Sequence, residues 1–513
     1  MKRLKILMVA AEMAPLVKAG GLGDVMGSLP RALVERGHDV RVLIPAYSSR
    51  LVKQAIPLAR ARGFKGRLMA YENGQLPCPV WLLETAGLLR RGGRPYLNRS
   101  GHPWADNPVQ FSNLSRMAAD IAGGTLGLDW EPDLVHCNDW HTGLVPVWMK
   151  VNGAHRPTVF TIHNLAYQGV FPANILARLG LPEALYDPEA LEFYGDVSFI
   201  KGGLVFADRL TTVSPGYARE IQTPLFGAGL DGLLRTRADK LTGIVNGIDT
   251  DAWNPGTDPW LTHHYDGSDL SLTREAKGAE RDSLKLRLGM PVKENPRRPL
   301  LAWVGRLAEQ KGTDLLLAAL PELIHKEIDV VVLGDGETAV SRALKAAAHR
   351  WPGRLAFKQG FDEALAHQVY AASDMLLMPS RFEPCGLSQL CAMRYGSIPV
   401  VSPVGGLLDT VIDAGVDAQG GTGYFMEAVG GEALLAAVDR ALADWQSPEL
   451  WGRIMLNAMA RDSSWDDRVV AYEKLYTSTL GAYLAEQHHA IMSLPTIPIS
   501  GVVAEEQAKP SIH

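Results

Sequence analysis

Pro379-Ser380-Arg381-Phe382-Glu383-Pro384-Cys385-Gly386-Leu387-Ser388-Gln389 lies between an apolar run, Asp374-Met375-Leu376-Leu377-Met378, and a helix-like segment, Leu390 to Tyr395. That order is a strand, a turn and a helix, and in open α/β sheets such turns are where ligands bind. Gly386 lets a ligand approach the backbone, while the free amides at the helix start and the Ser388 hydroxyl suit an anion such as a diphosphate. Glu383 stands just before the turn, and a carboxylate accepts hydrogen bonds from hydroxyls and tolerates a neighbouring cation. A sugar carried on a nucleotide has both features. The same turn taken alone is also compatible with an ordinary solvated βα loop.

Working outward, 513 residues are too many for one compact core and imply two or three domains. A hydrophobic fraction of 47% with 21% charged residues belongs to the soluble globular class. The net charge of -5 gives no general attraction to nucleic acid or to an anionic membrane, so an anionic ligand needs a local site. Cys78, Cys137, Cys385 and Cys391 have neither metal-ligand spacing nor a disulfide framework, which fits a reducing, cytoplasmic setting; no metal and no cofactor is called for. The apolar stretch after Met1-Lys2-Arg3 is interrupted by Glu12 and Lys18 and reads as a first buried strand, not a signal peptide. No apolar run approaches the ~20 residues of a membrane span.

Leu4 to Ala10 has the near-continuous apolar pattern of a strand covered on both faces. It leads into Lys18-Ala19-Gly20-Gly21-Leu22-Gly23-Asp24-Val25, then a helix with Val25, Leu29 and Leu33 on one face, closed by Gly37, and a second strand from Asp39 to Ile44. A nicotinamide-dinucleotide fold also begins this way. Here, however, Met26 stands at the third glycine position, and the second strand ends in Ile44-Pro45-Ala46 with no acidic ribose ligand, so that reading fails. Lys18, beside the Gly20-Gly21 pair, is a point cation suited to a phosphate or to charge developing on a leaving group. Three further strand ends carry polar clusters: Asn138-Asp139-Trp140-His141, His163-Asn164 and Ser214-Pro215-Gly216. Gathered at the carboxyl edge of one parallel sheet, they would line a shared crevice. Glu12, Asp24, Asp139, Trp140, His141, Asn164 and Asn246 are accordingly candidate cleft residues.

Leu241 to Asp249 reads as a strand ending in an Asn246-Gly247 turn, and residues 249 to 282 read as irregular, with the domain hinge at their start. The βα alternation then resumes with strands at Leu300 to Val304, Asp329 to Leu333, Leu355 to Lys358, Met375 to Met378 and Ile398 to Val401, a second doubly wound sheet. Arg306 and Lys311 follow its first strand and would face the Glu383 turn. A guanidinium fork with an ammonium complements a diphosphate and stabilises it as a leaving group without a metal.

The motifs Lys18 to Val25, His163-Asn164, Val304-Gly305-Arg306-Leu307 with Lys311-Gly312, and Arg381 to Leu387 together resemble those of the bacterial glycogen synthases and plant starch synthases, over about residues 4 to 480. The resemblance implies an α/β chain of GT-B architecture, two doubly wound Rossmann-like domains facing across a deep cleft. It implies a retaining hexosyltransferase moving glucose from ADP-glucose to the non-reducing end of an α-1,4-glucan and releasing ADP. His163, Glu383, Arg306 and Lys311 match the family's catalytic residues. Lys18, Gly20, Gly21, Arg306, Lys311, Phe361, Cys385, Gly386, Leu387 and Ser388 match donor-binding positions, with Phe361 near the adenine. ADP-glucose and a glycogen or maltooligosaccharide chain are then the partners, with no nucleic acid or membrane. Two departures stand out. Ala19 replaces the threonine of many relatives, and Cys391 stands where many other retaining GT-B enzymes carry a second glutamate, a difference that bacterial glycogen synthases share.

The expected division is an acceptor-side domain over residues 1–250, a nucleotide-sugar domain over 251–462, a helix over 463–485 packing back on the first domain, and a disordered tail over 486–513. The chain would then cross between domains twice, near Asn246 to Trp253 and near Asp462. A nucleotide-sugar epimerase shares the architecture, and a two-lobed solute-binding protein is the non-enzymatic alternative. The solute-binding class needs no clustered Lys18, Arg306 and Lys311.

Overall fold

The computed structural model describes residues 3–492 apart from 72, 75, 293–297 and 418. Strands β1 (Lys5–Val9), β2 (Asp39–Pro45), β3 (Ala55–Arg60), β4 (Arg67–Tyr71), β5 (Val80–Glu84), β6 (Leu134–Asn138) and β7 (Thr158–Ile162) begin a large sheet. A small antiparallel sheet of β8 (Val170–Pro172), β9 (Glu192–Phe193) and β10 (Asp196–Ser198) intervenes before β11 (Arg209–Thr212) and β12 (Leu241–Gly243) complete it. Its order is β12-β11-β7-β6-β1-β2-β5-β4-β3. All its pairings are parallel except those of β4 with β3 and β5, so an antiparallel hairpin extends one edge. Ile6 to Val9 in the central strand are wholly buried, as a strand covered on both faces requires.

The second sheet is parallel throughout, in the order β15-β14-β13-β16-β17-β18, from β13 (Leu300–Leu307), β14 (Asp329–Gly336), β15 (Leu355–Gln359), β16 (Met375–Met378), β17 (Ile398–Val401) and β18 (Tyr424–Phe425). The topology is GT-B-like, with the order reversing between β13 and β16, which pair directly through Leu301 with Met375 and Ala302 with Leu376. A ligand crevice opens outside the carboxyl ends of strands at such a reversal.

The segment between the sheets differs from the sequence reading. The expected strand through Asn246 ends at Gly243, and the stretch expected to be irregular to 282 contains a helix, Leu270–Arg287, whose Asp269 side chain caps the Leu272 amide. Its buried face is charged. Lys277 donates to the carbonyls of Ala371, Ser373 and Tyr395, Arg281 pairs with Asp374, and Lys285 reaches Asp329 at 2.6 Å. A helix that buries cations against carboxylates and helix-end carbonyls shows no apolar stripe, so periodicity does not reveal it.

The last helix, Asp466–Met492, runs past the expected end at 485; residues 493–513 of the expected tail lie outside the described residues. Trp465, Val469, Tyr472 and Tyr476 join the core of the first domain, whereas Ile248 and Tyr265 join that of the second. The chain therefore crosses twice, and the Ile248 amide bonds the Ser463 carbonyl where the crossings meet. Glu473 anchors the helix: it is 1% exposed and accepts bonds from Arg36 Nε at 3.0 Å, Arg36 Nη2 at 2.7 Å and His38 Nε2 at 3.2 Å.

The Arg36 hydrogen bonds hold the Glu473 carboxyl below its ordinary value; burial opposes this and His38 adds to it. A folded pKa below the unfolded value of about 4.3 contributes stability above that pH, which is lost as pH falls through the folded value. Glu473→Gln is expected to lower the melting temperature by several degrees at pH 7, with the gap to wild type closing below about pH 4. A gap independent of pH across thermal melts from pH 3 to 7 would show that the ionised pair does not hold this helix.

Candidate active site

Two glycine turns bring the charged groups of the second sheet together. Gly312 has φ +64, and a Cβ there would lie 2.0 Å from the Pro379 carbonyl, so a bare backbone lets the Lys311 turn close on the end of β16. Gly386 has φ +72, and its missing Cβ leaves room for Gln389, whose amide donates to the Cys385 and Gly386 carbonyls at 2.9 Å. Arg381 straps the two loops, donating to both Asp314 oxygens at 2.7 Å and to the Glu309 carbonyl at 2.8 Å. In this frame Lys311 Nζ pairs with Glu383, whose Oε2 also accepts the Ser380 hydroxyl at 3.1 Å. Glu383 is buried, and Arg306 is exposed at the end of β13.

The facing wall belongs to the first domain. Glu12 follows β1 and accepts the amides of Ala19 at 2.5 Å and Gly20 at 3.1 Å as well as the Tyr96 hydroxyl, fixing the loop that carries Lys18. Burial raises the Glu12 pKa; the Tyr96, Ala19 and Gly20 donors oppose the rise. Lys18 pairs with Asp24 at 2.7 Å and across the cleft with Glu363 at 3.5 Å, and its ammonium lies 5.2 Å from the Phe361 ring. Burial alone would lower the Lys18 pKa, but the two carboxylates raise it overall. The ammonium therefore stays charged.

Behind this wall, burial holds His163 down to about 3, with Nε2 3.0 Å from Asn138 Oδ1. A neutral ring donating to that amide oxygen from Nε2 leaves Nδ1 as an acceptor. His141 is pushed well below its ordinary value by burial and by His163, and its buried Nδ1 has no protein partner among the described residues. Asp139 has φ 63 and a pKa pushed up to about 7 by burial; the Trp140 amide opposes this and Glu12 adds to it.

The domains touch at several points. Leu387 Cδ1 would lie 3.3 Å from a Cβ at Gly21, Ser214 Oγ donates to the Pro384 carbonyl at 2.6 Å, and the Gly405 amide donates to Glu220 at 2.7 Å. Arg306 Nη1 donates to the Tyr167 hydroxyl at 2.7 Å.

Residues 5–236 match the family model described as the starch synthase catalytic domain, and residues 291–455 match that of glycosyl transferases group 1. Glycogen synthase 1 of Methylococcus capsulatus is 48% identical, the alignment covering 93% of this chain and 97% of the relative. Glycogen synthase of Alkalilimnicola ehrlichii is also 48% identical, over 93% of this chain and 99% of the relative. This chain belongs to the bacterial glycogen synthase family. Among solved structures, the catalytic domain of starch synthase IV from Arabidopsis thaliana bound to ADP and acarbose matches with a TM-score of 0.84 and 32% identity, over 94% of this chain and all of that one. Sucrose-phosphate synthase from Thermosynechococcus elongatus, at 19% identity and a TM-score of 0.60, shares the fold. The chain is thus a retaining glucosyltransferase of GT-B architecture.

Within this glycogen synthase family member the expected site residues fall into two groups. Lys18, Gly21, Asp24, Arg306, Lys311, Phe361, Glu383 and Leu387 meet at or across the cleft. Others serve the frame: Asn164 Oδ1 accepts the Ala166 amide at 3.0 Å, Trp140 packs on His141 and Phe111, and Asn246 and Cys385 are buried. Sequence reasoning missed Tyr96, Tyr167, Ser380 and Glu363. Ser380 lies inside the stretch quoted from Pro379 to Gln389 and Glu363 two residues from Phe361, so proximity was a signal, whereas Tyr96 belongs to a loop without a pattern.

Proposed function

We propose that this enzyme transfers glucose from ADP-glucose to the non-reducing 4-hydroxyl of an α-1,4-glucan, with residues 1–250 and the C-terminal helix holding the acceptor and residues 251–462 holding the donor. The observation that carries this reading is the pairing of Lys311 with buried Glu383 beside Arg306, opposite Lys18 of the other domain. Three cations around one crevice suit a diphosphate, and the carboxylate suits the hydroxyls of the sugar attached to it. Phe361, 73% exposed, is available to stack on the adenine.

In this reading the bond from glucose C1 to the diphosphate oxygen breaks, and its electron pair leaves with ADP. Arg306, Lys311 and Lys18 stabilise that charge, the term usually largest in such sites. The short-lived oxocarbenium ion is attacked by the acceptor hydroxyl on the face that ADP leaves, and the hydroxyl proton passes to a departing phosphate oxygen, so configuration is retained. Glu383 and neutral His163 position the sugar through its hydroxyls. Contact of the two domains around the donor excludes water that would otherwise hydrolyse it. Four buried, unpaired cysteines support a cytoplasmic setting.

Initial rates with ADP-glucose and with UDP-glucose, each with glycogen, test this reading. ADP-glucose is expected to be the effective donor. UDP-glucose as the sole effective donor would overturn the nucleotide assignment, and binding of either without turnover would favour a sugar-binding module.

A further inference from the structure

Tyr167 belongs to neither of the charged clusters, yet it is the residue of the first domain that holds Arg306. The Arg306 guanidinium donates from Nη1 to the Tyr167 hydroxyl at 2.7 Å and lies 5.6 Å from the ring centroid. Its Nη2 reaches Gln310 Oε1 at 3.4 Å, and Gln310 is itself tied to the Phe382 carbonyl at 3.3 Å. The backbone around Tyr167 is held in place, while the residue itself is 46% exposed. Its amide bonds the Asn164 carbonyl, Gln168 donates to the Ala228 carbonyl at 2.9 Å, and Gly169 at φ +60 lets Trp140 press against the loop, where a Cβ would lie 2.2 Å from the indole. A guanidinium has five N–H donors in a fixed plane. With one directed at Tyr167 and one at Gln310, the plane of the fork is set and its other donors remain for phosphate oxygens.

We propose that Tyr167 is a cross-domain positioning residue that orients Arg306 for the donor diphosphate, so that the arginine is aligned only when the two domains are in contact. An exposed arginine otherwise samples many rotamers, and fixing it in advance reduces the ordering cost in the transition state. Because the hydroxyl bond and the ring contact both come from the opposite domain, alignment is tied to closure. The inference rests on the assignment of Arg306 to the diphosphate.

The test is a double-mutant cycle on the full chain, with donor and glucan kinetics measured separately and melting temperatures confirming folding. Tyr167→Ala is expected to lower kcat/KM for ADP-glucose by about tenfold, and Tyr167→Phe, which keeps the ring over the guanidinium, by about threefold. The glucan KM is expected to stay within about twofold, since Tyr167 acts through Arg306. In an Arg306→Ala background the Tyr167→Ala effect is expected to shrink below about twofold. An undiminished effect in that background, or a loss confined to the glucan KM, would overturn the proposal and make Tyr167 a wall of the acceptor groove. Normal donor kinetics in Arg306→Ala alone would remove the diphosphate assignment and the proposal with it.

Discussion

Lys311→Ala is expected to slow glucosyl transfer at least about thirtyfold, the rate equivalent of about 2 kcal/mol of lost transition-state stabilisation. The Lys311 ammonium is held against buried Glu383 by the Gly312 turn and stands beside Arg306 where negative charge would grow as ADP leaves. Groups fixed before the reaction need no reorganisation during it, so the loss should fall on kcat more than on the KM for donor. A folded Lys311→Ala enzyme with near-normal kcat would show that leaving-group charge is met elsewhere.

Glu383→Gln is expected to cost more, about a hundredfold to a thousandfold in kcat. The change keeps the shape and a hydrogen-bonding oxygen for Ser380 while removing the charge that faces Lys311 and, in the proposed reading, the donor hydroxyls. A half-buried ammonium left without its carboxylate and a weakened hold on the sugar act in the same direction. Near-UV circular dichroism and the melting temperature separate this from unfolding. Activity within about fivefold of wild type in a folded variant would remove Glu383 from the positioning role.

The groups in these two predictions were legible because they follow apolar strands at glycine turns, and β13 pairs directly with β16, so Lys311 and Glu383 share one edge. Alternation of strands and helices likewise pointed to two wound sheets. What escaped was structure held by polar burial. The Leu270–Arg287 helix packs through Lys277, Arg281 and Lys285, whose partners lie up to 118 residues along the chain. No local pattern encodes such pairing; only the Asp269 cap marked the helix start. Tyr167 and Glu363 escaped for a related reason. Each meets its partner across the cleft, so its role depends on how two separately folded domains face each other and not on its own neighbours.

The most direct measurement follows ADP release and glucose incorporation together, with labelled ADP-glucose and glycogen, and then digests the product with β-amylase. The expected result is one ADP per glucose incorporated and complete release of the label as maltose, which requires α-1,4 linkages added at non-reducing ends. ADP release without incorporation would mean hydrolysis, and label resistant to digestion would mean another linkage. Either would contradict retaining transfer to the 4-hydroxyl.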